Sequence, residues 1–179
     1  MGFEPVIPIS TIWDIEIVRA GKILNSWRQR NVLTDQGLNH VLNAVFHGGT
    51  QITQWYMVLF NNDFTPLVTN TYAIPGYTES TGYSEPTRPP WVEGPASDGI
   101  ITNTLNRSEF TMSVAETVYG LALVGGGYGP SIKNDKDELA PVDATNLGVL
   151  FCASKFPSSQ ALDAFDIVRA SCTIILEGL

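Results

Sequence analysis

Long stretches of two-residue alternation lie toward both ends of this chain, and they constrain its fold more than any other feature. From Thr11 to Arg19, Trp13, Ile15 and Ile17 fall on one face with Asp14 and Glu16 on the other, the period of a half-buried strand. Ala20-Gly21 supplies a two-residue turn in which glycine is free to take positive φ. Lys22 to Asn31 continues as the partner strand, so a hairpin is predicted. At the other end, Ala164 to Glu177 sets Ile167, Arg169, Ser171, Thr173 and Ile175 against Val168, Ala170, Cys172, Ile174 and Leu176. Alternation of this kind demands a sheet with one buried face.

Only one stretch has the helical period. Thr34 is a good N-cap, Asp35 places a carboxylate in the first turn, Leu38, Val41, Leu42 and Val45 recur at helical spacing, and Gly48-Gly49 stops the run. A single apolar stripe is expected to pack against a sheet or a neighbour. Strand signals dominate the rest. Gln54 to Asn61 is apolar on both faces, as in a central strand covered on both sides. Residues 62–108 are broken by Pro66, Pro75, Pro86, Pro89, Pro90 and Pro95, with short strands expected at Tyr77–Tyr83 and Ile100–Asn103. Glu109–Val114 and Val118–Val124 read as a second hairpin, followed by a Gly-rich acidic loop (Gly125–Thr145), a strand at Asn146–Cys152 and a separate segment at Phe156–Asp163. With no strand–helix–strand alternation, the expectation is a mainly β chain: a jelly-roll-like two-sheet sandwich with one short helix at about residues 35–46. It divides into an N-terminal arm and hairpin (1–34) and a sandwich body (35–179) within one domain overall.

Of the 179 residues, 44% are apolar, enough for a core, and only 16% are charged, below the roughly 25% usual for soluble domains. The net charge of -8 argues against direct nucleic-acid binding, which needs a basic face. The charge is uneven. Residues 1–34 carry four basic and three acidic side chains, and Arg19, Lys22, Arg28 and Arg30 all lie in the hairpin. The hairpin therefore reads either as a mildly basic element seeking an acidic partner or as a solvated strand face. No signal peptide and no spanning helix are expected, so neither export by that route nor a membrane partner is. Cys152 and Cys172 lack metal-ligand spacing and read as buried thiols, with a disulfide open if their strands are neighbours.

No catalytic motif emerges. The run Gly125 to Lys133 fails as a phosphate loop because Pro130 to Ile132 separate Gly129 from Lys133 and no helix follows. Asp135, Asp137, Glu138 and Asp143 cluster without the full pattern of a calcium loop, and a solvated loop is the simpler reading. His40 and His47 lack companion zinc ligands and read as helix-surface histidines. Neither a Gly-x-Ser-x-Gly elbow nor a Cys with a positioned His occurs. The expectation is no enzyme, no cofactor and no metal. The tyrosines at 72, 77 and 83 with Trp91 suit either stacking on sugar rings or an interaction surface.

One order of features remains. The helix opens on Asn31-Val32-Leu33-Thr34-Asp35-Gln36-Gly37-Leu38-Asn39, Gly48-Gly49-Thr50 ends it, and Trp55 to Phe60 follows. Then come Tyr77-Thr78-Glu79, Thr81-Gly82-Tyr83-Ser84-Glu85-Pro86-Thr87-Arg88-Pro89-Pro90-Trp91, Asn103 to Phe110 and the Gly120 strand. Over about residues 11–177 this resembles the jelly-roll cement (decoration) proteins of tailed bacteriophages, small virion proteins encoded beside the major capsid protein. The longer, more acidic Gly125–Thr145 loop departs from their pattern. The resemblance implies a structural viral protein, made in the host bacterial cytoplasm and bound outside the capsid. There it cements contacts between major capsid subunits as a homo-oligomer (dimer or trimer). Its contact residues are expected in the hairpin (Trp13, Arg19, Lys22, Trp27, Arg28 and Arg30) and in the aromatic loop (Tyr83, Arg88 and Trp91). The alternatives are a tail or appendage protein and a carbohydrate-binding sandwich on the virion surface.

Overall fold

The computed structural model describes residues 9–137 and 147–176. Strands β1 (Ile9–Arg19) and β2 (Lys22–Arg30) form the first hairpin. Its turn has positive φ at both Ala20 (48°) and Gly21 (76°), the twist that suits a two-residue connection. At Asn31 the chain crosses to β3 (Val32–Leu33) and helix α1 (Asp35–Phe46). Then follow β4 (Trp55–Phe60), β5 (Pro90–Trp91), β6 (Ile100–Thr102), β7 (Ser108–Thr111), β8 (Glu116–Gly125), β9 (Val149–Leu162) and β10 (Ile167–Leu176).

The strands make two antiparallel sheets. One runs β2-β1-β10-β6, with β7 also paired to β10, and the other runs β3-β9-β8-β4-β5. This is a two-sheet β-sandwich in which the first strand lies beside the last, from Ile9↔Leu176 to Val18↔Ile167. Residues 9–34 are thus continuous with the sandwich, β1 being an interior strand. Trp13, Ile15 and Ile17 face inward against Met57, Leu59 and Leu121 of the opposite sheet. The outer face of the second sheet has its own apolar layer, where Val58, Phe60, Ala122 and Val124 are covered by Tyr72 and Tyr77 from the long loop. Phe60 and Tyr77 stack at 5.2 Å and 10°. A Cβ on Gly120 would collide with the Phe60 ring and the Ser154 carbonyl, so only glycine admits this packing. The second layer explains why the Gln54–Asn61 segment is apolar on both faces.

Several local expectations change. Glu109–Val114 and Val118–Val124 do not pair as a hairpin: β7 joins β10 in one sheet and β8 joins β4 and β9 in the other. The backbone between them is held by other partners, Met112 N–H donating to Asp166 O and Ser113 N–H to Gly82 O. Alternation shows which face is buried but not which sheet a strand joins. Asn146–Cys152 and Phe156–Asp163 merge into β9, which carries exposed Pro157 where the register with β8 slips between Val118 and Gly120. A proline is tolerated at such a bulge. Tyr77–Tyr83 forms only isolated bridges, Phe60↔Glu79 and Tyr83↔Met112. The last strand starts at Ile167, because Asp163 to Asp166 is a turn with Phe165 at φ 72°; Glu177 lies outside the described residues.

Helix α1 starts as expected, Thr34 Oγ1 accepting from Gly37 N–H at 3.0 Å. It is pinned to β9 by its first turn. Thr34 N–H donates to Phe151 O, and Gly37 is buried so closely that a Cβ would come within 2.5 Å of that carbonyl. The predicted stripe is covered only in part: Leu38 and Val41 are half-buried, Val41 against the core, while Leu42, Val45 and the neighbouring Phe46 are 54%, 64% and 80% exposed.

Candidate contact surface

The nine residues expected to meet a partner separate into core and surface. Trp13 is fully buried between the sheets, and Tyr83 and Trp91 are buried as well. Trp91 Nε1 donates to Cys172 O at 3.1 Å. Tyr83 meets Phe110 edge-on at 5.0 Å, with Lys133 Nζ 3.7 Å above its ring. Trp13 and Tyr83 fill the interior and Trp91 is all but covered, which corrects their reading as exposed contact residues.

Arg88 is likewise corrected. Its side chain and that of Glu79 are 2% and 1% exposed. Nε and Nη2 grip the two Glu79 oxygens at 2.9 and 2.6 Å, and Nη1 reaches Tyr72 Oη at 3.1 Å and Pro130 O at 3.0 Å. Nη2 also donates to Asp135 O at 2.9 Å. The guanidinium's full donor complement is therefore used. Glu79 in turn accepts from Asn134 N–H, and Tyr72 donates to Asp135 Oδ2 at 2.7 Å. Burial opposes the charge on Arg88, but the hydrogen bonds and charge of Glu79 outweigh it, and the pKa stays above the ordinary arginine value. Burial also raises the Tyr72 phenol. The result is a knot tying the 72–91 loop to residues 128–135. Sequence gave Arg88 in an aromatic loop but no sign that Glu79 faces it.

The hairpin is at the surface, and half of its positive charge is answered internally. Arg19 makes a bidentate contact with Asp166 at 2.7 and 2.6 Å and reaches Asp163 at 2.8 Å. Its hydrogen bonds hold the Asp166 carboxyl below the usual aspartate value. Arg28 grips Asp14 at 2.7 and 3.0 Å while 70% exposed. Lys22 and Arg30 are exposed and have no ion pair among the described residues. Trp27 is half-buried, edge-on to Phe156 at 4.9 Å.

An apolar groove of about 270 Å³ lies between α1 and the ends of both sheets, floored by Trp55, Trp91 and Phe151 and walled by Val45, Ile101 and Ile174. It runs into the exposed stripe of the helix. His40 lines it, edge-on to Trp55 at 5.7 Å, and burial lowers its pKa. Of the acidic cluster, Asp135 is engaged in the knot, and Glu138 and Asp143 lie outside the described residues. Among the described residues no group of three His, Cys, Asp or Glu side chains is placed to hold a metal ion. Cys152 and Cys172 are free, fully buried thiols on strands of opposite sheets. No described helix is long and apolar enough to cross a membrane. No protein-family model matches the chain, and no curated protein matches it.

Proposed function

We propose that the protein is a structural component of a tailed-bacteriophage virion, bound outside the capsid as a dimer or trimer and cementing contacts between major capsid subunits. The family-like order of sequence features supports this reading. The observation that carries it is the outward apolar stripe Leu42, Val45 and Phe46, continuous with the groove under α1. A helix whose C-terminal apolar residues are turned to solvent is suited to a second surface that covers them. A sandwich braced by a buried ion-pair knot is suited to bearing load, and repeated weak contacts to one lattice multiply affinity.

Cryo-electron microscopy of purified particles tests the reading. Many copies on the capsid exterior are expected; a chain confined to the tail, or absent from the particle, overturns it. Val45→Glu with Phe46→Asp should abolish binding to undecorated capsids while the thermal midpoint holds. Binding at wild-type strength would remove α1 from the contact. The sugar-binding alternative loses its platform, since Tyr83 and Trp91 are buried.

A further inference from the structure

Among the described residues, β2 is the longest open edge of the sandwich without an interruption by proline. At the other sheet margins β3 and β5 have two residues each, β6 three and β7 four, and the part of β9 that runs past β3, Lys155 to Leu162, is interrupted by exposed Pro157, so these edges offer little to an incoming strand. β2 has nine residues, lies at the end of its sheet and pairs only with β1. Its register slips between Ile17 and Val18, leaving Leu24 as the extra residue of a bulge. The regular part of the edge is therefore Asn25 to Arg30.

Main-chain direction can be read from the far end of this strand. Asn31 N–H donates to Thr11 O, so by antiparallel alternation residues 25, 27 and 29 address β1, and Ser26, Arg28 and Arg30 turn their amides outward. The Arg30 carbonyl fits this assignment, since it accepts from Ser154 Oγ at 3.1 Å instead of from β1. Side chains alternate as well. Asn25, Trp27 and Gln29 lean toward β9, touching Gln160, Phe156 and Ser154, whereas Arg28 and Arg30 are exposed on the other face.

On that outer face, charges alternate in sign from strand to strand. Glu109 on β7 pairs with Arg169 on β10, which faces Glu16 on β1, and Asp14 on β1 pairs with Arg28 on β2. The series stops at the β2 edge on a cation, and Arg30, set opposite Ile12, has no ion pair among the described residues. A second copy of β2 would bring Lys22, Arg28 and Arg30 and no acid, setting like charges across the new ladder.

We propose that β2 captures an extended acidic segment of another protein by strand addition. The segment pairs with Ser26 to Arg30 and alternates carboxylates, beside Arg28 and Arg30, with apolar side chains beside Trp27. Main-chain bonds supply affinity and the alternating side chains supply selectivity. This goes beyond the capsid reading, because it holds for any partner that offers such a strand.

The probe is a short fluorescein-labelled peptide alternating glutamate and valine, titrated with the full chain and read by anisotropy. Saturable binding is expected, with none for the same peptide carrying lysine in place of glutamate. Ser26→Pro should remove binding, since its amide points away from β1 and an edge proline is tolerated there. Arg30→Glu, at an exposed position, should weaken binding by about tenfold, and it carries the test if the proline variant does not fold. Hydrogen exchange should slow at Ser26, Arg28 and Arg30 in the complex. Equal binding of both peptides, unchanged affinity in Arg30→Glu or in folded Ser26→Pro, protection elsewhere but not on β2, or no saturation with millimolar peptide would each overturn the proposal.

Discussion

Arg88 and Arg28 each hold a carboxylate through Nε and Nη2, yet one pair sits inside the 72–91 loop and the other on the open face of the hairpin. The exposures are 2% for Arg88 and 70% for Arg28. In water the Arg28 attraction is screened and its partners are readily replaced by solvent. Inside, Arg88 has no water to fall back on, so each of its donors needs the partner it has. The same bond is therefore an obligation in the loop and an option at the hairpin. A region of the second kind is free to exchange its partners for those of another molecule.

Breaking the loop pair should have the largest effect. Glu79→Gln leaves a buried guanidinium short of its counter-charge, and urea denaturation should show a loss of about 3–5 kcal/mol. Replacing both partners, as Arg88→Met with Glu79→Leu, should recover much of that loss, because the cost lies in the unpaired charge and not in the missing attraction. A double variant as unstable as the single one would mean that the Tyr72, Pro130 and Asp135 contacts carry the loop.

Asp166→Asn should come next, lowering the thermal midpoint less than Glu79→Gln does. Its sign with pH is fixed: the folded carboxyl titrates below the ordinary aspartate value. Its contribution is thus complete above about pH 4 and is lost as pH falls through the folded value. A wild-type-minus-mutant difference that persists undiminished at pH 2 would break this assignment. Arg28→Ala should leave the midpoint unchanged within error at physiological salt, and a drop comparable to that of Asp166→Asn would erase the contrast between loop and hairpin.

The smallest effect belongs to His40. Its folded pKa lies below the ordinary histidine value because burial disfavours the cation. Stability is complete above about pH 6.5 and declines as pH falls toward the folded value, since the unfolded chain takes up the proton first. Midpoints of His40→Gln, measured against pH, should lack that shallow slope, and an identical slope in the variant would place its origin elsewhere.

Features set by neighbours in sequence were legible. The Ala20-Gly21 turn, the Thr34 cap and the alternation of β1 and β10 each follow from a few adjacent residues, and together they imply the sandwich. What was hidden depends on partners far along the chain. Nothing near Arg88 indicates that Glu79, Pro130 and Asp135 converge on it, and nothing near Phe110 says that β7 and β8 part into different sheets. The helix stripe misled for a related reason: periodicity shows that a face is apolar, but the close seat of Gly37 on Phe151 decides how much of it is covered. The same holds for the site, where the aromatic loop drew attention by composition and proved to be core.

The pairing of β1 with β10 has a consequence for synthesis. Strand order places the first described strand against the last, so Trp13, Ile15 and Ile17 emerge from the ribosome long before their sheet neighbours Val168, Ala170 and Cys172 exist. The β1–β2 hairpin can close early, but its apolar side stays uncovered until nearly the whole chain has been made. Such long-range closure is slow and leaves sticky intermediates. Yield in a cell should therefore depend on chaperone capacity during translation more than on the stability of the finished sandwich.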